Sequence, residues 1–340
     1  MIFHSSYGID LGTDTIKICD KNEKNFLCEK NMIAIRDKVN VIALGQKAFE
    51  MYEKTPMNVE AGSPMTGGAI ADVKNAELVL TGLLKRCGGV FTGHPEIFMS
   101  VPTESSEVEK RAYYNVLNVR IRAKKVNLID KGLADAIGIG MPVLEPEGNM
   151  VVNIGADTTE ISVISDGKII VGKMLKFGGR RLDEEICTMV RRRYNLHIGM
   201  KTSEYLKKSL AYLIRGEDRE AAVYGINTIS GLPRQEVIPA LPVSAAILEA
   251  VDEILESLKN TLERTPPQLL EDIRRSGIYI TGGVSEIPNL AEYFYKGVGI
   301  PVYNVVEPAF STIRGLVRIM NQDELQKLTY SMKDFTGNTI

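Results

Sequence analysis

Short apolar runs bounded by glycine alternate along the chain with segments whose apolar positions recur every three or four residues. One pattern is written twice. Near the start it reads Gly8-Ile9-Asp10-Leu11-Gly12-Thr13-Asp14-Thr15-Ile16-Lys17-Ile18, and near the middle Val152-Asn153-Ile154-Gly155-Ala156-Asp157-Thr158-Thr159-Glu160-Ile161-Ser162-Val163. Each copy is an apolar strand, an acid or amide, a glycine two places on, a small polar turn and an alternating strand. That order predicts a β-hairpin with a tight tip, whose backbone N–H groups can form an anion-binding concavity. Two such tips facing each other could hold a nucleotide's phosphates between two halves of one chain. A single Asp-x-Gly hairpin says little, because both residues are common turn formers. Recurrence at matching places says much more.

After the first hairpin the pattern predicts short strands at 32–35 and 41–44, a helix to about 53, and a loop over 55–68. A helix follows over 75–86, then a strand over 96–101 ending at Pro102. A charged helix to 116, a strand over 126–129 and a short helix over 133–139 complete the first half. Residues 142–148 have linker composition. The second half predicts a strand over 168–177 and a helix from Gly178-Gly179 to about 194. Thr202 or Ser203 caps the next helix, which carries Leu206, Leu210 and Leu213. A strand over 224–230 is compatible with the sequence, followed by a Gly-Leu-Pro-Arg turn at 231–234. The strongest helical stripe runs over 243–264 through Ile247, Val251, Ile254, Leu258 and Leu262. Thr265 caps a helix opened by Pro266, and an apolar strand over 278–281 leads into Gly282-Gly283. A helix from 288, a strand at 302–303 and a helix over 309–320 close the pattern. Alternation after each hairpin implies α/β layers, with helices on both faces of each sheet.

Length and composition fit this picture: 340 residues allow two domains, with 44% hydrophobic and 25% charged residues. A formal net charge of -2 gives no basic footprint for nucleic acid. No run is long and apolar enough to span a bilayer, and the opening residues do not form a secretory signal. Cys19, Cys28, Cys87 and Cys187 lack metal-ligand spacing and read as free thiols of a reducing cytoplasm. His4, His94 and His197 form no local cluster.

The motifs together resemble the MreB family of bacterial actin-like proteins, within the actin, sugar-kinase and heat-shock-chaperone ATPase superfamily. The resemblance runs from about Tyr7 to Arg318. It rests on the first hairpin, Val101-Pro102 with Glu107-Val108-Glu109-Lys110-Arg111-Ala112, Thr158-Thr159-Glu160, Tyr194-Asn195-Leu196 and Thr281-Gly282-Gly283. Pro142-Val143 before Gly148-Asn149, and Gly231-Leu232-Pro233-Arg234, set it apart from kinases and chaperones. The resemblance implies an actin-like ATPase fold of two domains, each built on a mixed β-sheet with flanking helices and facing a nucleotide cleft. Domain I would take 1–146 and 308–330, with a small subdomain at about 31–66. Domain II would take 147–307, with one at about 182–242, and 331–340 would be a flexible tail.

The implied cofactors are ATP or ADP with Mg²⁺, held through waters on Asp10. Gly12, Thr13, Asp14, Thr15 and Lys17 would take the phosphates from one side, and Gly155, Ala156, Asp157 and Thr158 from the other. Lys17 matches a phosphate-contacting lysine of actin, where typical MreB proteins carry an apolar residue. Adenosine would lie against Gly282-Gly283-Val284, with Glu204 and Lys207 reaching ribose and base. Alone, Glu204 and Lys207 would read as a solvated helical pair.

Three departures fall on the chemistry. Asn153 stands where the family has Asp, and Gly155-Ala156-Asp157 replaces a triple glycine. The water-positioning glutamate of the family's Glu-Pro-x-Ala-Ala pattern is replaced by Lys131, in Lys131-Gly132-Leu133-Ala134-Asp135. A lysine has three donors and no acceptor, so it cannot orient or deprotonate a water. Asp14 and Asp157 add negative charge at both tips, which Lys17 and Lys131 are expected to offset. Slow or absent hydrolysis is the expectation.

The family also implies self-association into paired protofilaments at the inner face of the cell membrane, with the cell-wall elongation machinery and other MreB-type paralogues as partners. The membrane loop would be Val90-Phe91 between glycines, beside Lys85 and Arg86. An ordinary packed turn is the competing reading. A regulatory paralogue that copolymerises without cycling is the second functional reading.

Overall fold

Both hairpins form, each inside a five-stranded sheet, in a computed structural model that describes residues 5–88, 94–119 and 121–332. In the first sheet Ser6–Leu11 pairs antiparallel with Thr15–Asp20, and that strand with Phe26–Lys30. On the other side Glu96–Val101 and Lys125–Asp130 run parallel to it. The second sheet repeats this strand for strand. Asn149–Ile154 pairs antiparallel with Thr159–Ser165, then Lys168–Leu175, and parallel with Ile278–Thr281 and then Val302–Asn304. Asn149–Ile154 is buried along its whole length, which is why it reads as a nearly continuous apolar run.

Each sheet has its own core. Val79, Leu80, Leu83 and Leu84 of the helix Val73–Gly88 pack on the first. The helix Ala240–Arg264 buries Ile247, Val251, Ile254 and Leu258 beneath the second. A third apolar cluster joins the halves through Ile129, Ile137, Val151, Ile164, Ile313 and Leu316. At its centre the helices Lys131–Ile139 and Ser311–Asn321 touch backbone to backbone. A Cβ at Gly138 would lie 1.9 Å from the Ser311 carbonyl oxygen, and one at Gly315 1.8 Å from that of Ala134. Only glycine permits this approach. The chain's last long helix is thereby returned to the first half.

Several local expectations differ from the structure. Residues 55–68 hold the strands Val59–Gly62 and Met65–Thr66, the first completing a small sheet with Ile33–Arg36 and Asn40–Leu44. The turn expected at 231–234 closes earlier, over 228–232, where Gly231 has φ +70° and its amide donates to the Asn227 carbonyl. Pro233 and Arg234 already open Pro233–Pro239, a mostly exposed strand paired with Glu220–Asn227. Thr202 and Ser203 lie inside the helix Met200–Leu210, and the Ser203 hydroxyl donates to the Asp183 carbonyl. Leu213 falls beyond that helix. Thr265 ends the preceding helix, donating to the Thr261 carbonyl, and the next helix is Pro267–Ser276. Val90, Phe91 and most of the expected tail lie outside the described residues.

Candidate nucleotide cleft

The two hairpin tips face each other across a cleft of about 870 Å³. In each tip a glycine amide donates to the carbonyl three residues on, Gly12 to Thr15 at 3.1 Å and Gly155 to Thr158 at 2.8 Å. The amides of Thr13, Asp14, Ala156 and Asp157 donate to no group among the described residues. Donors of that kind, unspent and turned into a concavity, suit an anion. Thr15, Lys17, Thr158, Glu204, Lys207 and the 282–284 turn line the same cleft. Gly282 has φ +84°, and a Cβ there would lie 2.4 Å from the Ile154 carbonyl oxygen, so no other residue fits. Gly283 opens onto free space.

Not every expected contact is available. The Lys207 ammonium is committed, donating to the Gly179 carbonyl and the Asp183 carboxylate, both at 2.8 Å. Burial outweighs that pairing and holds Asp183 up at about 6. Glu204 accepts from Lys208 at 2.6 Å and stands 3.9 Å from Lys30, on the opposite wall. At the mouth two helix ends cap each other across the cleft. The Lys201 ammonium donates to the Phe49 and Tyr52 carbonyls, and the Glu53 carboxylate accepts from the Met200 amide.

The floor between the tips carries the departures. Asp10 is 2% exposed, with one carboxylate oxygen 2.9 Å from the Lys17 ammonium and the other 3.4 Å from that of Lys131. Burial alone would raise Asp10, but Lys131 and Lys17 outweigh it and hold the carboxyl down to about 2. Lys131 itself, despite burial, is pushed above its usual value by Asp10, Glu160 and Asp135. Four residues beyond Lys131, on the same helix, the fully buried Asp135 accepts from the Asn153 amide at 2.7 Å and the Thr312 hydroxyl at 2.5 Å. One turn of helix therefore grips both hairpins, Lys131 on the first and Asp135 on the second. A carboxylate thus stands directly beside Asn153, on Asp135, behind the cleft wall. Gly132 is fixed by Ser162, whose Oγ would lie 2.1 Å from any Cβ.

The tip carboxylates are offset by other cations than expected. Lys30 pairs with Asp14 at 2.8 Å and Arg180 with Asp157 at 3.2 Å, while Lys17 and Lys131 both serve Asp10. Glu160 and Asp135 stand in motifs that the sequence shows but without a role there, and Thr312, Lys30 and Arg180 stand in none. Asp135 left a further signal, as the one acid in a helix that is apolar after Lys131.

The phosphate side of the cleft fits a nucleotide; the metal side does not fit Mg²⁺. A divalent ion at Asp10 would meet two ammonium groups. At an effective dielectric of about 20, each unit-charge pair 4 Å apart repels by about 4 kcal/mol.

Burial raises Glu160 to about 7 and Asp135 to about 6, with Lys131 opposing both shifts. The folded chain therefore binds protons that the unfolded chain, titrating near 4, releases. Their stabilising contribution is complete below about pH 4 and is lost as pH rises through 6 to 7. Without nucleotide, thermal unfolding is expected at higher temperature at pH 5 than at pH 8. Glu160→Gln should flatten most of that slope, on the order of 2–3 kcal/mol.

Comparison with known proteins agrees with the cleft. The sequence model of the family described as MreB/Mbl protein matches residues 4–328. The cell shape-determining protein Mbl of Bacillus subtilis is 34% identical over 96% of this chain and 99% of its own. The cell shape-determining protein MreB of Escherichia coli K12 is 34% identical over 92% of each chain. MreB5 of Spiroplasma citri, solved with ADP and with AMPPNP, superposes with TM-scores of 0.89 and 0.90 at 28% identity. The ADP form covers 95% of this chain and 98% of its own. The chain belongs to the MreB/Mbl family of actin-like, cell shape-determining proteins.

Proposed function

We propose that this chain is a cytoskeletal protein that holds ATP between its two hairpin tips and assembles into filaments without cycling the nucleotide at an ordinary rate. The observation that carries this reading is the floor of the cleft. Two hairpin tips with unspent amides face each other there, and Lys131 and Asn153 stand where the resemblance implies the water-positioning and metal-side acids. Domain I, 1–146 with 308–330, and domain II, 147–307, would close on the nucleotide about the helix Lys131–Ile139. The first hairpin and Lys17 take the β- and γ-phosphates, the second hairpin takes them from across, and adenosine lies against Gly283 and Val284.

Filaments of such a chain would lie at the inner face of the cell membrane, beside the cell-wall elongation machinery. Lys85 and Arg86, in the last turn of the helix Val73–Gly88, suit anionic lipid beside the Val90-Phe91 segment. Electron microscopy and sedimentation with ATP, with and without anionic vesicles, test this reading. Filaments that form alone with ATP and pellet with vesicles are expected. A chain that stays monomeric alone but enters filaments of another MreB-type protein would support the second reading, a regulatory paralogue, which Lys131 and Asn153 favour. Monomer under every condition contradicts both.

A further inference from the structure

We propose that the ammonium groups of Lys17 and Lys131 replace the divalent cation, so that the cleft takes a nucleoside di- or triphosphate in its metal-free form. The inference rests on the reading that the cleft binds nucleotide, and adds which ionic form it takes. Lys17 and Lys131 approach Asp10 from both sides, on the floor between the hairpin tips. Together they carry the formal charge of one divalent ion, fixed where that ion's acid would sit. Each ammonium has three donors, and Asp10 occupies one of each, leaving the rest for phosphate oxygens. Charge-assisted N–H···O bonds to phosphate are among the stronger ones available to a protein.

The surrounding charges are arranged for the same end. Asn153 offers no charge to a metal, and its amide is turned to Asp135, outside the cleft lining. Asp14 and Asp157, the acids nearest a terminal phosphate, are neutralised by Lys30 and Arg180. Lys17 and Lys131 share Asp10 as their ion-pair partner, with Ser100 also within 3.4 Å of it, while Glu160 and Asp135 act on Lys131 from further off. Glu160 lines the cleft as well, but its carboxylate accepts from the Thr103 amide at 2.7 Å and burial raises it to about 7. A magnesium ion already on ATP would compete with Lys17 and Lys131 for the same oxygens. Its presence should weaken association rather than support it.

Calorimetric titration of ATP and of ADP into the full chain, once in EDTA and once in excess Mg²⁺, tests this. The dissociation constant in EDTA is expected to equal or fall below that in Mg²⁺. Lys131→Glu should reverse the order, binding at least about tenfold more tightly with Mg²⁺ than without. Lys131→Met should weaken binding in both buffers. Circular dichroism confirms that each variant is folded, and the wild-type comparison stands alone if one is not. Wild-type binding weakened about tenfold or more by EDTA overturns the inference and leaves the nucleotide reading intact. Folded wild-type protein that binds neither nucleotide in either buffer overturns both.

Discussion

Lys131→Met is expected to lower the unfolding free energy of the nucleotide-free protein by about 3–5 kcal/mol at pH 8, the cost of removing one partner from a buried ion pair. That is a large part of the 5–15 kcal/mol that typically separates folded from unfolded protein. Methionine keeps most of the side chain's length, so the loss is one of charge rather than of volume. Asp10 would keep only Lys17, and Glu160 and Asp135 would lose the cation that now opposes their rise. The loss should shrink at pH 5, where Glu160 and much of Asp135 carry protons in the folded state. A packing defect would show no such dependence. Lys296→Met, removing an exposed pair with Glu292, should cost less than about 1 kcal/mol at either pH. Denaturant unfolding at the two pH values measures all of this. A loss below about 1 kcal/mol for Lys131→Met at pH 8 would contradict the assigned role.

Phosphate release under saturating ATP is expected to be on the order of 10²–10⁴-fold slower than in a family member that carries the glutamate, the usual contribution of a general base. The reason is geometric as well as chemical. Lys131 has no acceptor for a water's proton, and its ammonium points at Asp10. Asn153 cannot take the proton instead, because its side chain is a neutral amide with no basic atom. Restoring the acid at 131 leaves the Asn153–Asp135 pair in place. Lys131→Glu with Asn153→Asp and Asp135→Ala, assayed with Mg²⁺, should therefore recover more of the deficit than Lys131→Glu alone. Wild-type release at the rate of an ordinary relative would refute this reading.

Much of the fold was legible because it is locally encoded. The strands Glu96–Val101 and Ile278–Thr281 are apolar runs ended by Pro102 and Gly282, and the sequence marks both ends. Pro233–Pro239 was not legible: it is charged and exposed, and becomes a strand only because Glu220–Asn227 lies beside it. Ser203 has the chemistry of a cap but spends its hydroxyl on Asp183, twenty positions earlier. The cleft divides the same way. Its lining could be read from glycines and a repeated hairpin, yet the pairing of its charges could not. Lys30 and Arg180 hold the tip acids across distances in sequence that no local pattern records. Asp135 gains its meaning from Asn153 and Thr312, on two other elements.

The cleft is expected to retain ATP without hydrolysing it at the rate of a glutamate-bearing relative. Radiolabelled ATP loaded onto the protein in stoichiometric amount, quenched at intervals and separated into bound ATP and ADP, measures this. ATP recovered intact from the protein, over a period in which a glutamate-bearing relative converts its own to ADP, is the predicted result. Bound ADP and free phosphate appearing together at the relative's rate would contradict it.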